Sequence, residues 1–133
     1  MDDLIAFLRA QLDKDEQAAR AASPGPWQVD KETYPEAIHG ADGATPVSGG
    51  RWGGEASVFD KDEDAIHIAR HDPVRVLADV AAKRQIIGLC NLDFNDDGEP
   101  SCLGGYGEAY WDVVRLLALS YAEHPDYREE WRP

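Results

Sequence analysis

A chain of 133 residues has room for one ordinary domain with a single core, and 43% hydrophobic content with four Trp, five Tyr and three Phe excludes wholesale disorder. The 26 acidic against 13 basic residues leave a formal charge of −13, which repels polyanions and anionic membrane surfaces and argues against direct nucleic-acid or membrane binding. Acidity of this size suits a soluble, colloidally stable protein; its sharper reading is a DNA mimic seated in the groove of a basic partner.

The opening "MDDLIAFLRA" has two acids where a secretory signal would carry bases, and the late apolar run "LLALSYA" is far too short to span a membrane. These features predict a cytoplasmic protein with Cys90 and Cys102 reduced; in an exported chain the pair would be able to close a small loop.

In residues 2–22, Leu4, Ile5, Leu8 and Leu12 fall at helical spacing and Ala19 and Ala22 extend the stripe, which predicts an amphipathic helix capped by Asp2 or Asp3. "SPGPW" stops it, because two prolines around a glycine cannot continue a helix. Trp27 and Val29 alternate with Gln28 and Asp30, as a half-buried strand requires, and the Gly- and Pro-rich stretch beyond holds short strands near "EAIHG", "TPVSG" and "EASVFD". Asp60 caps a second helix that runs through Ile66 and Ile68 to about His71. Asp72-Pro73 is a joint: the residue before proline is pushed out of helical dihedrals, while proline fits a helix's first position. A third helix then runs from Pro73 to about Leu89, with Val76, Leu77, Val80, Ile86 and Ile87 as a broad apolar side. An acidic, Gly-rich loop covers 91–107. A fourth helix over about 107–121 sets Trp111, Val114, Leu117 and Tyr121 on one face, and "EHPDYREEWRP" is a polar tail from which Tyr127 and Trp131 dock back.

The expectation is therefore an α+β single domain over 1–133: an N-terminal helix, a small antiparallel sheet, then three helices with a helix-Pro-helix corner at Asp72-Pro73. In spans, 26–60 is strand-rich, 61–121 is helical apart from the loop, and 122–133 is the tail.

The blocks "SPGPW", "HIARHDPVRVLADVAAKRQII" and "VVRLLALSYAEHPDYREEWRP", after a first helix reading "MDDLIAFLRAQLDKDEQAARAA", carry a resemblance. Together they resemble a family of small uncharacterised proteins found in actinomycetes and their phages, over the N-terminal third and most of the second half. The resemblance implies no assigned activity. It implies that 30–60 and 91–106 vary between members, and that some members hold zinc on cysteines and histidines in the second of these. Here only Cys90 and Cys102 are present, so that feature looks degraded or absent. A looser similarity, to phage proteins with a "TPGPW" block, points toward mobile-element biology.

Two candidate metal sites stand in the sequence. His67 and His71 are four apart, so on a helix they share a face and both imidazoles reach one zinc ion; further ligands would come from Cys90, Cys102, His39 or His124. The plainer alternative places His71 on the helix's C-terminal carbonyls and His67 partly buried with its nitrogens bonded locally. In "DFNDDG", Asp93, Asn95 and Asp97 followed by Gly98 match the first half of a calcium loop. Position twelve is Gly104 rather than a bidentate Glu, and Pro100 stands at position eight, so an acidic solvated turn competes with calcium. No cofactor beyond such an ion is called for.

No nucleophile elbow or phosphate loop appears, and "SGGRWGG" lacks the lysine of one. Residues 61–90 hold five bases and five acids, so Arg70 and Arg75 lie on a locally neutral stretch of an acidic chain, able to face an acidic partner. Exposed Tyr127 and Trp131 would anchor a protein partner, since such residues dominate interface energetics. The sequence thus points away from an enzyme and toward a binding or regulatory protein with a protein partner, with a metal-binding protein and a DNA mimic as alternatives.

Overall fold

The computed structural model describes residues 2–31, 37–47, 62–89, 92–94, 100–102 and 107–133; the expected strand "EASVFD" and the Asp60 cap lie outside them. The elements are α1 (Asp2–Ala21), β1 (Gln28–Val29), β2 (Ile38–His39), α2 (Asp62–Arg70), α3 (Pro73–Gly88), β3 (Leu92–Phe94), β4 (Pro100–Cys102) and α4 (Gly107–Ala118), followed by 3-10 turns at Leu119–Tyr121 and Glu129–Trp131. This is the expected α+β order of a helix, a two-stranded antiparallel sheet and three helices. Among the described residues no helix is long and apolar enough to cross a membrane. The residues group into two compact units, one of 15–79 and one of 1–14 with 80–133.

In the unit of residues 15–79, α1 ends where the sequence places its stop: Ala22 N–H still bonds Ala18 O at 3.1 Å, and Pro24 follows. β1 pairs antiparallel with β2 in the register Gln28↔His39 and Val29↔Ile38. Of the expected "TPVSG" strand, the described residues show one bridge, Ile38↔Val47. Ile38 is fully buried against Ala65 and Ala69 of α2, with Trp27, Val29 and Val47 packed around it. The two alanines, one turn apart, let α2 come close to β1. The larger Ile66 and Ile68 sit on the other side, 43% and 36% exposed, so the small residues of this helix make its core face.

The corner between α2 and α3 is built on one carboxylate. Asp72 is 7% exposed. Its Oδ1 accepts the Arg75 N–H at 2.9 Å and its backbone carbonyl accepts the Val76 N–H at 3.1 Å, which makes it the N-cap of α3 with Pro73 in the first helical position. Its second oxygen, Oδ2, accepts the Trp27 N–H at 2.9 Å, and the Trp27 indole N–H donates back to Ser23 O at 2.8 Å. The same carboxylate thus caps a helix and holds the "SPGPW" loop. Gly25 is required there: a Cβ would lie 2.8 Å from Val74 Cγ2 and 2.9 Å from Asp72 Oδ2.

In the other unit, Leu4, Ile5, Phe7, Leu8 and Leu12 of α1 are buried, as are Val80 and Ile87 of α3, Val114 and Ala118 of α4, and Trp131. Leu4, Ile5, Leu8 and Leu12 are the stripe read from the sequence; Phe7 adds a second edge that carries the tail. Tyr110 of α4 donates its hydroxyl to Ile87 O at 2.7 Å, satisfying a carbonyl that α3's own ladder leaves open near its end. Burial pushes that phenol's pKa up, opposed by Arg9, and it stays a donor. α4 ends at Ala118 rather than 121 because the last turn tightens to 3-10 geometry.

One expectation is corrected here. The stretch 91–107 is not wholly loop: β3 and β4 pair antiparallel with Leu92↔Cys102, Asp93↔Ser101 and Phe94↔Pro100 in register. Three-residue strands are too short to show alternation, and Pro100 reads as a breaker, but an outer position in a two-stranded ribbon tolerates a residue with no N–H.

Asp72→Ala is expected to lower unfolding free energy by about 2–4 kcal/mol, from a lost cap of roughly 1 kcal/mol and a stranded Trp27 N–H costing about 1–3 kcal/mol. Asp72→Asn, which keeps an acceptor oxygen, should lose less. Urea denaturation of the three proteins measures this, and an alanine variant within about 0.5 kcal/mol of wild type would refute the two-bond role.

Candidate functional site

In the unit of residues 1–14 and 80–133, the tail folds back on α1 as a nest of aromatic rings around Phe7. Its ring lies 5.1 Å from that of Trp131, 6.1 Å from Tyr127, 6.4 Å from Tyr121 and 5.6 Å from the His124 imidazole. Tyr127 and Trp131 meet at 5.7 Å, almost perpendicular. Edge-to-face pairs of this kind add about 0.5–1.5 kcal/mol each beyond burial. Arg128 stacks over Trp131 at 5.3 Å and donates to Asp3 of α1 at 2.9 Å. In the last turn Arg132 donates to both oxygens of Glu129, at 2.6 and 3.2 Å, and this holds the Glu129 carboxyl below the usual range.

The tail docks as expected, but its expected exposure is corrected: Trp131 is only 6% exposed and serves as a core residue, since its ring finds a partner in Phe7. Beside the nest α1 and the tail leave an open cleft of ≈ 560 Å³, with Phe7, Tyr127 and Trp131 as its apolar side and Gln11, Lys14 and Arg128 among its polar lining. At its edge the Asp126 N–H donates to His124 Nδ1 at 3.2 Å, and Lys14 Nζ stands 3.4 Å from His124 Nε2. The Tyr127 hydroxyl is buried and has no hydrogen-bond partner among the described residues.

In the unit of residues 15–79, His67 and His71 come together at the end of α2. Both are exposed, and their ring centroids are 4.4 Å apart. His71 Nδ1–H donates to His67 O at 2.8 Å, the carbonyl-capping role considered from the sequence; His67 is not the partly buried residue that reading paired with it. A groove of ≈ 260 Å³ adjoins, lined by Trp27, His71, Pro73 and Val76 with alanines of α1. Arg70 and Arg75 are exposed on either side of the corner. Among the described residues no three His, Cys, Asp or Glu side chains gather as a metal cluster. Of the calcium-loop residues, Asp93 lies on β3 opposite Ser101, and Asn95 and Asp97 fall outside the described residues, as does Cys90; Cys102 is on β4.

A third grouping escaped the sequence reading. His39 Nε2–H donates to Asp30 Oδ2 at 3.0 Å, and the Thr45 hydroxyl stands 3.4 Å from Nδ1. The order Asp, His, Thr is that of a hydrolytic triad with the two imidazole nitrogens exchanged, but four nearby backbone donors are already used. Gly40, Ala41 and Gly43 N–H bond the carbonyls of Ala44, Pro24 and Gly40, and Ala44 N–H bonds Asp42 Oδ1, so none of these four is left to bind an oxyanion. The grouping works as a clasp across β1, β2 and the following turn. Its signal in sequence was nil, because the contact spans a stretch with no periodicity.

A family profile matches the sequence over residues 1–133. The chain belongs to DUF6221, a family of unknown function. No curated protein and no solved structure matches it. In this DUF6221 chain these segments meet in two separate pairs: "SPGPW" with "HIARHDP" through Asp72, and the first helix with "HPDYREEWRP" through Phe7.

Two substitutions separate core from cleft in the aromatic nest. Trp131→Ala is expected to cost about 3–5 kcal/mol, as buried aromatic truncations do. Tyr127→Phe removes an unpartnered hydroxyl and is expected to be neutral or stabilising by up to about 1 kcal/mol. Thermal and urea unfolding measure both; a Phe variant destabilised by more than about 1 kcal/mol would mean the hydroxyl has a partner.

Proposed function

We propose that this DUF6221 chain is a non-enzymatic binding protein that engages a protein partner through the cleft between α1 and its C-terminal tail. The observation that carries the reading is the cleft itself: an open surface of ≈ 560 Å³ where an aromatic side made by Phe7, Tyr127 and Trp131 is bordered by charges of both signs, Asp3 and Asp126 with Lys14 and Arg128. Aromatic area framed by polar groups is the usual composition of a contact hot spot. Phe7 and Trp131 are 8% and 6% exposed, so they fix the wall from behind, and half-buried Tyr127 with the charged rim offers the accessible contact. The charge of −13 favours a partner whose surface is basic overall and speeds encounter with it. The resemblance of the "SPGPW" block to phage proteins supports a place in mobile-element biology.

The test begins with co-purification from the native host and identification of the partner by mass spectrometry, followed by titration calorimetry. Ala10 lines the cleft and is exposed, so Ala10→Arg should fill it without unfolding the helix and weaken binding at least tenfold. Ala82→Arg, on an exposed position of α3, should bind as wild type does. Full affinity in the Ala10 variant would exclude the cleft as the contact surface.

A further inference from the structure

We infer that His67 and His71 form an exchangeable two-ligand site for a borderline divalent cation of the Zn²⁺, Ni²⁺ or Cu²⁺ class, independent of the α1–tail cleft. Three observations carry it. Four-residue spacing on α2 and its first residue beyond puts both imidazoles on one face, with ring centroids 4.4 Å apart. The hydrogen bond from His71 Nδ1–H to His67 O, 2.8 Å long, puts a proton on Nδ1 and leaves Nε2 as the nitrogen of the neutral ring that can take a metal. Such a bond from the non-ligating nitrogen to a carbonyl is what orients metal-binding histidines generally. Both side chains are exposed, so an ion reaches them without opening the fold.

The ring separation is close to what chelation by two imidazoles needs. With metal–nitrogen bonds of about 2.0–2.1 Å and tetrahedral angles, two chelating imidazoles have centroids about 5 Å apart, against the 4.4 Å found here. A rotation about the side-chain torsions of His67 supplies the difference, because the His71 ring is held and the His67 ring is on the surface. Imidazole nitrogen selects this class of cation over Mg²⁺ and Ca²⁺, which take oxygen ligands. Two protein ligands leave two positions of a tetrahedral ion for water or an incoming donor, and His71 also lines the groove formed with Trp27 and Pro73. That is the coordination of an open site rather than of a closed structural one.

Titration calorimetry of tag-free full-length protein with NiCl₂ and with ZnCl₂ tests the inference, using His67→Ala, His71→Ala and, as a control, His39→Ala. The expected result is one saturable ion per chain, at least tenfold weaker binding in each of the first two variants, and unchanged binding in the third. The bound ion should raise the melting temperature of wild type and of His39→Ala but not of the other two. Circular dichroism confirms that the variants keep their helices. No saturable binding, wild-type affinity in either His67→Ala or His71→Ala, or an equal loss in His39→Ala would overturn the assignment.

Discussion

The Asp72 carboxylate is the constraint on which the unit of residues 15–79 depends. A helix that starts directly after another has ended must satisfy its first N–H groups within a residue or two, and nothing local but the cap can do so. Asp72 does it with one oxygen and uses the other to hold Trp27, whose ring packs on the Ile38, Ala65 and Ala69 cluster. One buried carboxylate therefore links helix initiation, the loop that ends α1 and the seating of the small sheet. Its two accepted N–H bonds also explain why a charged group is tolerated at this depth: a carboxylate with backbone donors on both oxygens is solvated by the protein.

In the other unit the equivalent part is played by a hydrophobic side chain. Phe7 collects Tyr121, His124, Tyr127 and Trp131 around one face of α1. A tail rich in charge would otherwise stay in solvent; the rings give it area to bury, while ion pairs such as Arg128 with Asp3 add orientation more than energy, because they are exposed. The cleft proposed as a contact surface is a by-product of that docking, since a short segment laid along a helix cannot cover the whole of its flank.

Much of this was legible in the sequence. The spacing of Leu4, Leu8 and Leu12, the "SPGPW" stop and the Asp72-Pro73 joint act within a few residues of themselves, and local rules read them correctly. The exposure of His67 and of Ile66, the burial of Trp131 and the β3–β4 ribbon were not legible. Each is decided by what packs opposite: small alanines turn α2's core face away from its isoleucines, and Phe7 draws Trp131 in. The ribbon's strands, at three residues apiece, are too short for a period to show.

The candidate sites divide the same way. By itself the sequence determined the helices, the corner and the fact that His67 and His71 share a helical face, because those follow from periodicity and backbone sterics between near neighbours. Only the tertiary structure decided that Asp30, His39 and Thr45 join across a turn, and that the tail's aromatic residues form a wall rather than an exposed anchor. Those outcomes depend on contacts between separate segments of the chain, and no local pattern encodes them.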